Sequence, residues 1–229
     1  MTAVSSGTAA SSGAFATHTC GDYDVCPVVT APPYRENSYV IRHRPSGSIA
    51  IVDPGDGAED ILAAAEMLGG DVRAILLTHA HPDHIAGLEA VAAATGAPVL
   101  AHADEQPIID AAPQWGQMLL GRPLAVPAVQ TYTGEPELTA VGQARAIATP
   151  GHTPGGVCYL FDGVAFTGDT LFMRGIGRSD FPGGNGPALH ASITRFLTIA
   201  PPGTLLFSGH GPAWRAEEAR RWWQASAGL

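Results

Sequence analysis

Four side chains of types that commonly bind metal ions occur at positions 79–84 of the sequence. His79, His81, Asp83 and His84 form the pattern H-x-H-x-D-H, directly after the apolar run 72–77. Two imidazoles at alternate positions of a loop can face one ion, while an aspartate and a histidine at the start of the next helix can face a second position nearby. A polar turn capped by Asp83 would explain a lone histidine, but four ligand types at this spacing favour a metal site.

Three later residues of the same types strengthen this interpretation. His152, Asp169 and His210 each follow a predicted strand and are flanked by glycine, which lets the backbone approach an ion closely. Five histidines and two carboxylates suffice for two divalent ions with one carboxylate bridging. Such ligands suit zinc, manganese or iron, and the absence of cysteine from the set argues against copper(I) or an iron–sulfur cluster.

The pattern of apolar residues predicts strands and helices that alternate along the chain. In the first half, the strands 37–42 and 48–52 are followed by a helix at 58–68, a strand at 72–77, a helix at 85–95 and a strand at 98–101. Residues 103–135 show no clear period and are interpreted as a covering segment. The second half restarts with strands at 144–148, 157–161 and 164–166, followed by a helix capped by Asn185, a strand at 204–207 and a helix at 216–224. This order predicts sheets inside and helices outside.

Five short motifs resemble those of the metallo-β-lactamase superfamily, in its glyoxalase II-like branch of short hydroxyacylglutathione hydrolases. They are T-H-A-H-P-D-H at 78–84, G-H-T-P-G at 151–155, T-G-D-T-L-F at 167–172, G-I-G-R-S-D-F-P-G-G-N at 175–185 and G-H-G-P at 209–212. The resemblance extends from about Val28 to Trp214. It implies an αββα sandwich of two mixed β-sheets with helices on the outer faces and the site at one edge.

The resemblance also implies how the ligands are shared between two divalent ions, zinc being the first candidate and iron or manganese the alternatives. One ion would be held by His79, His81 and His152, and the other by Asp83, His84 and His210, with Asp169 bridging. Asp53, at the end of its strand, would orient a ligand histidine, although an Asx turn is the simpler alternative. The other four histidines, at 18, 43, 102 and 190, match no ligand position.

The implied reaction is the hydrolysis of an S-acyl conjugate of a small thiol such as S-lactoylglutathione. A hydroxide held between the ions, with Asp83 in the catalytic set, would attack the thioester carbonyl. Full-length glyoxalase II has a lysine that contacts glutathione where this chain has Arg178, and an arginine can still clamp a carboxylate. Arg178 is therefore the predicted substrate-binding residue, unless it only pairs with Asp180 to hold its loop.

Two other functions remain open from the sequence. A mononuclear iron persulfide dioxygenase of the same fold shares the G-R-x-D loop and is the main alternative. The segments at 181–185 and 208–212 resemble the hydrolase branch instead. A metal-stabilised binding module would close its coordination sphere, whereas seven ligands across two ions leave positions open.

Composition restricts the partners and the domain organisation. The net charge is −9, and all twelve basic residues are arginine, so no basic stripe is available for a nucleic acid. No apolar run has the length of a membrane helix, and we expect a cytoplasmic protein acting on a small-molecule thioester. Three cysteines do not form a disulfide framework. Residues 1–17 are predicted to be a disordered tail, structure is expected to begin near Val25, and residues 18–229 are assigned to a single domain; the oligomeric state is not predicted.

Overall fold

The computed structural model describes residues 15–30 and 32–227, and its first seven strands form one mixed sheet. The first four strands pair antiparallel and the last four pair parallel, with the fourth belonging to both sets. Their bounds are β1 His18–Cys20, β2 Tyr23–Val29, β3 Asn37–His43, β4 Ser48–Val52, β5 Asp71–Leu76, β6 Val99–His102 and β7 Val129–Tyr132.

Helices cover the outer face of this sheet. They are α1 Ala58–Leu68, α2 Pro82–Ile85, α3 Leu88–Thr95 and α4 Gln106–Leu120, with a short 3₁₀ turn at Ala103–Glu105 before α4. Side chains alternate across each strand: Ile49 and Ile51 of β4 pack under the helices, whereas Ala50 and Val52 face the second sheet. This alternation lets β4 contribute to two cores.

The second sheet has six strands in the order β15-β14-β11-β10-β9-β8. Between β11 and β14 the chain forms a separate hairpin, β12–β13, and α5 and α6 pack on the outer face of the sheet. The bounds are β8 Glu137–Leu138, β9 Ala144–Ala148, β10 Val157–Phe161, β11 Val164–Gly168, β12 Leu171–Phe172, β13 Gly175–Ile176, α5 Gly186–Ile199, β14 Leu205–Ser208, β15 Trp214–Arg215 and α6 Ala216–Ala227.

An aromatic core fills the space between the two sheets. Tyr39 of the first sheet contacts Phe166 and Phe207 of the second, with ring centroids 5.1 and 5.2 Å apart. The layers therefore run helix, sheet, sheet, helix. The predicted αββα sandwich is confirmed.

Most predicted elements occur within one or two residues of their expected bounds, and two differ substantially. The segment 103–135 contains the fifteen-residue helix α4, which was not predicted because Pro107, Pro113 and Gly116 mask its apolar face. The helix predicted at 85–95 is observed as α3, which begins three residues later, and the short helix α2 precedes it. They separate at Gly87, whose N–H donates to Pro54 O at 3.0 Å and where a Cβ would overlap Gly55 O.

The predicted tail falls mostly on residues 1–14, which lie outside the described residues. Phe15 is partly buried against the first core and β1 begins at His18, so ordered structure starts before the predicted Val25. The three cysteines are free. Within the described ranges, no helix is both long and apolar enough to span a membrane.

Candidate metal centre

The metal-ligand candidates meet because their strands end at one edge of the sandwich. β4 and β5 are parallel, and β9, β11 and β14 share one direction through their pairings. Each candidate lies in a loop or helix start that follows one of these strands. Hydrogen bonds between the halves close this edge: Asn37 N–H donates to Gly209 O at 2.7 Å, and the hydroxyl of Tyr39 donates to Ser208 O at 2.6 Å.

The first ligand group consists of His79, His81 and His152. Ligand atoms of all three lie within 4.8 Å of one another, and the three side chains are buried. His81 Nδ1 and His152 Nε2 are 2.9 Å apart. Two imidazole nitrogens bound to one tetrahedral zinc would be about 3.3 Å apart, so the group needs only a small expansion to hold an ion.

The second group consists of Asp83, His84 and His210. The side chains of Asp83, His210 and Asp169 are partly exposed, and they define the open side of the site. His210 Nε2 lies 3.3 Å from Asp83 Oδ2. Asp169 lies between the groups: Oδ1 is 3.3 Å from His84 Nε2, and Oδ2 is 3.6 Å from His152 Nε2 and 3.7 Å from His210 Nε2. This is the position that a bridging carboxylate requires.

Outer hydrogen bonds fix the ring orientation of three ligand histidines. Nδ1 of His79 contacts Thr78 Oγ1 at 3.1 Å, Nδ1 of His84 contacts Asp53 Oδ2 at 3.1 Å, and Nδ1 of His152 contacts Arg178 O at 2.6 Å. Since each Nδ1 is engaged, each Nε2 faces the centre. Asp53 therefore contacts a candidate ligand histidine, His84. It also accepts hydrogen bonds from the N–H and the hydroxyl of Thr78, at 2.7 and 2.5 Å.

The donor atoms at the centre fit a divalent cation. His79 Nε2 and His81 Nε2 are buried and have no hydrogen-bond partner among the described residues. Such atoms are costly unless something else satisfies them. The backbone of Gly209 packs directly against the centre, and a Cβ there would overlap Asp169 Oδ1 and His84.

Comparisons with known proteins agree with this geometry. Residues 31–210 match the family model described as the metallo-beta-lactamase superfamily. The chain belongs to the metallo-β-lactamase superfamily. A "Hydroxyacylglutathione hydrolase" of Rhodospirillum rubrum is 38% identical over 176 residues, which are 75% of this chain but only 60% of that protein.

Two solved structures resemble the fold closely. One is described as a crystal structure of BLEG-1 B3 metallo-beta-lactamase, with a TM-score of 0.79 and 34% identity over 86% of this chain and 96% of that one. The other is TTHA1623 in a di-iron-bound form, with a TM-score of 0.74 and 34% identity over 85% of this chain and 96% of that one.

The histidines of the two ligand groups differ in the direction of their pKa shifts. Burial lowers the pKa of His81 to about 3 and that of His79 well below its ordinary value, so both imidazoles are neutral donors. Burial also opposes protonation of His84, but the charges of Asp169 and Asp83 outweigh it and raise its pKa well above the ordinary value. In the absence of a cation, a proton therefore compensates the carboxylates of the second group.

Arg178 contributes to the site through its backbone in this structure. Its carbonyl accepts the hydrogen bond from His152, while its guanidinium pairs with both carboxylate oxygens of Asp180 at 2.8 Å and lies over the Phe181 ring, 4.3 Å from its centroid. The side chain is exposed and engaged within its own loop. The pairing with Asp180 is the alternative that the sequence left open.

A buried carboxylate behind the first group was missed by the sequence interpretation. Glu105 is fully buried: Oε1 accepts the N–H of Ala80 at 2.8 Å, and Oε2 accepts the N–H of Gly155 at 3.0 Å. It thereby joins the two loops that carry the three histidines. The sequence alone shows only a single glutamate in the segment 103–135, which was interpreted as a covering segment without regular structure.

An aromatic contact to His81 also went unpredicted. Trp115 of α4 stacks on the His81 ring with centroids 5.4 Å apart, and Phe181 contacts the same ring edge-on at 5.5 Å. The i, i+4, i+7 spacing of Ile108, Ala112 and Trp115 was the signal that could have located α4. By contrast, the remaining four histidines, at 18, 43, 102 and 190, belong to none of the metal-capable groups found among the described residues.

Proposed function

We propose that the protein hydrolyses S-acyl thioesters of a small thiol, using two divalent ions with zinc as the first candidate. The observation that carries the proposal is that two of the three metal-capable groups share no residue, and Asp169 lies between them. The name of the R. rubrum relative supports a hydroxyacylglutathione-type substrate, and the di-iron form of TTHA1623 supports two ions and keeps iron among the candidates.

The ligands would be held as the two groups indicate: His79, His81 and His152 around one ion, Asp83, His84 and His210 around the other, with Asp169 shared. Bound divalent ions would lower the pKa of water toward ~7 and polarise the substrate carbonyl. Asp53, Thr78 and the Arg178 carbonyl keep the histidine rings turned toward the centre, which maintains the ligand geometry through turnover.

Asp83 is the proposed catalytic carboxylate because it faces the open side of the site. Its side chain is 18% exposed, whereas that of His84 is fully buried. The oxygen that does not face His210 is free to accept a hydrogen bond from an approaching water and so to orient it. The thiol leaving group has an ordinary pKa near ~8.5 and departs without a strong acid.

Arg178 remains the proposed contact for a substrate carboxylate. An exposed ion pair such as that with Asp180 is screened by solvent and contributes little, so exchanging Asp180 for a substrate carboxylate costs little. Residues 18–229 are proposed to act as one domain, since the ligands come from both halves of the chain and a shared core lies between the two sheets.

The test combines metal analysis with two assays on the same preparation. Protein purified without chelator should contain more than one equivalent of zinc, iron or manganese and should hydrolyse S-lactoylglutathione. Asp169→Ala should lose most metal and activity, while His190→Ala, a histidine outside both groups, should retain them. One equivalent of iron with dioxygen consumption on glutathione persulfide would establish the dioxygenase instead, and turnover of a cephalosporin but no thioester would assign a lactamase.

A further inference from the structure

A cavity lies between the tip of the β12–β13 hairpin and α6. Its volume is about 570 Å³, within the range of small-molecule sites. The lining side chains are two arginines, two tryptophans, a methionine and a glutamate: Met173, Arg174, Trp214, Glu218, Arg221 and Trp222.

The two arginines of this cavity have no partner in the described part of the chain. Five other arginines form ion pairs with carboxylates, but Arg174 and Arg221 make neither an ion pair nor a side-chain hydrogen bond. Glu218, in the same wall, accepts a hydrogen bond from the backbone N–H of Arg215 at 3.0 Å. In a protein with a net charge of −9, this cavity wall thus carries two arginines against one glutamate.

The floor and the hairpin tip add two further observations. Trp214 is 4% exposed, and its indole Nε1 is buried without a hydrogen-bond partner in the described structure. Arg174 has a φ of 60°, a left-handed conformation that glycine adopts at lower cost. The indoles of Trp214 and Trp222, with centroids 5.9 Å apart, supply apolar walls between the charges.

The β12–β13 hairpin, which supplies two residues of the cavity, also contacts a candidate ligand. The side chain of His210 is 29% exposed, more than those of Asp83 or Asp169, so access to the ligands is from its side. The Phe172 ring, adjacent in sequence to Met173, lies 5.9 Å from the His210 ring. Trp214, which lines the cavity, begins β15 four residues after His210, so two segments of the cavity wall are close in sequence to residues at the metal centre.

We propose that this cavity binds a carboxylate through the guanidiniums of Arg174 and Arg221, with the two indoles as apolar walls. Guanidinium is the side chain best matched to carboxylate oxygens, and paired donors give charge-assisted hydrogen bonds. The carboxylate belongs either to the thiol portion of the thioester, an assignment that rests on the proposed function, or to a separate small anion.

Binding is tested with S-methylglutathione, which carries two carboxylates and no cleavable thioester, against its diethyl ester. Arg174→Gln and Arg221→Gln remove the charges while keeping most of the side-chain length. Arg145→Gln is the matched control, an exposed arginine outside the cavity. Calorimetry and tryptophan fluorescence on zinc-loaded protein should show binding to wild type and control, about 3- to 10-fold weaker binding to each cavity variant, and little binding of the ester. Equal binding to all four proteins, or equal binding of the ester, would overturn the proposal.

A kinetic comparison then identifies the source of the carboxylate. If it belongs to the substrate, the cavity variants should raise KM about 3- to 10-fold for a glutathione thioester, with kcat unchanged, and leave S-acetyl-N-acetylcysteamine unaffected. Weakened S-methylglutathione binding with unchanged KM for both would support a separate anion at the same arginines. If wild type hydrolyses no thioester, the proposed function fails, while the binding measurement still decides whether the cavity takes a carboxylate.

Discussion

Replacing Glu105 with glutamine should weaken one ligand group and leave the other intact. The carboxylate accepts the N–H of Ala80, which lies between His79 and His81, and the N–H of Gly155, three residues after His152. It therefore connects both loops of the three-histidine group. The second group has its own buried carboxylate, Asp53, which holds His84.

The expected magnitude follows from the hydrogen bonds that glutamine cannot make. Its amide keeps one acceptor oxygen and presents an NH₂ donor to the other backbone N–H, so one buried donor loses its partner at a cost of about 1–3 kcal/mol. Below pH 4.5, where ionisation of Glu105 does not yet destabilise the wild type, the free energy of unfolding of metal-free Glu105→Gln should be lower than that of wild type by this amount. Because the carboxylate orients the loops from outside the ligand shell, zinc affinity of the three-histidine group should fall about 10- to 100-fold.

Chelator competition in two backgrounds separates the groups. His210→Ala leaves the three-histidine group complete, and His152→Ala leaves the second group complete. Glu105→Gln should lower zinc affinity in the first background only. Glu135→Gln is the control, because Glu135 also accepts a backbone N–H, that of Ala148 at 2.9 Å, without contacting a ligand loop between 77 and 84. Equal losses in both backgrounds, or none, would refute the positioning role of Glu105.

Three further predictions follow from contacts at the same edge. Asp53→Ala removes the acceptor for His84 Nδ1 and should weaken zinc binding to the second group about 10- to 100-fold by calorimetry; unchanged affinity would contradict the orienting role. Gly209→Ala would push a methyl group into Asp169 and His84, and should lose most metal by elemental analysis while circular dichroism is unchanged. Burial raises the pKa of Glu105 to about 7 from an ordinary 4.5, so in chelated protein its stabilising contribution, complete below pH 4.5, should be lost as pH rises to 7. In chemical denaturation, the free energy of unfolding of chelated wild type should fall by about 3 kcal/mol over this pH range, and that of Glu105→Gln should not. An equal pH dependence of the two proteins would contradict the raised pKa of Glu105.

Much of the fold was predictable because, in most segments, a regular spacing of apolar residues ends at a glycine, a proline or a helix-capping residue. The helix α1 was predicted with its observed bounds because Gly69 and Gly70 end a regular apolar face. Asn185 caps α5 by accepting the N–H of Ala188 at 3.0 Å, as its position before Pro187 indicated. In α4, Pro113 and Gly116 reduced the local helix signal, and packing against the first core determines the structure instead.

The metal ligands were predictable for a different reason. Histidine and aspartate in glycine-flanked loops are chemically specific, so residue types and spacing indicated the seven candidate ligands, and the family resemblance implied their division into two groups. The supporting residues carry no such signal. Glu105 becomes informative only when the 3₁₀ turn places it between two loops that are distant in sequence, and the state of Arg178 depends on a neighbour, Asp180, that could equally have faced solvent.

Reconstitution of chelated protein with zinc tests the central claim most directly. Hydrolysis of S-lactoylglutathione should be absent without metal and should rise to a plateau at two equivalents of zinc per chain, in wild type but not in Asp169→Ala. A plateau at one equivalent would contradict the two-ion site. A protein that binds two equivalents and hydrolyses no thioester would contradict the proposed activity.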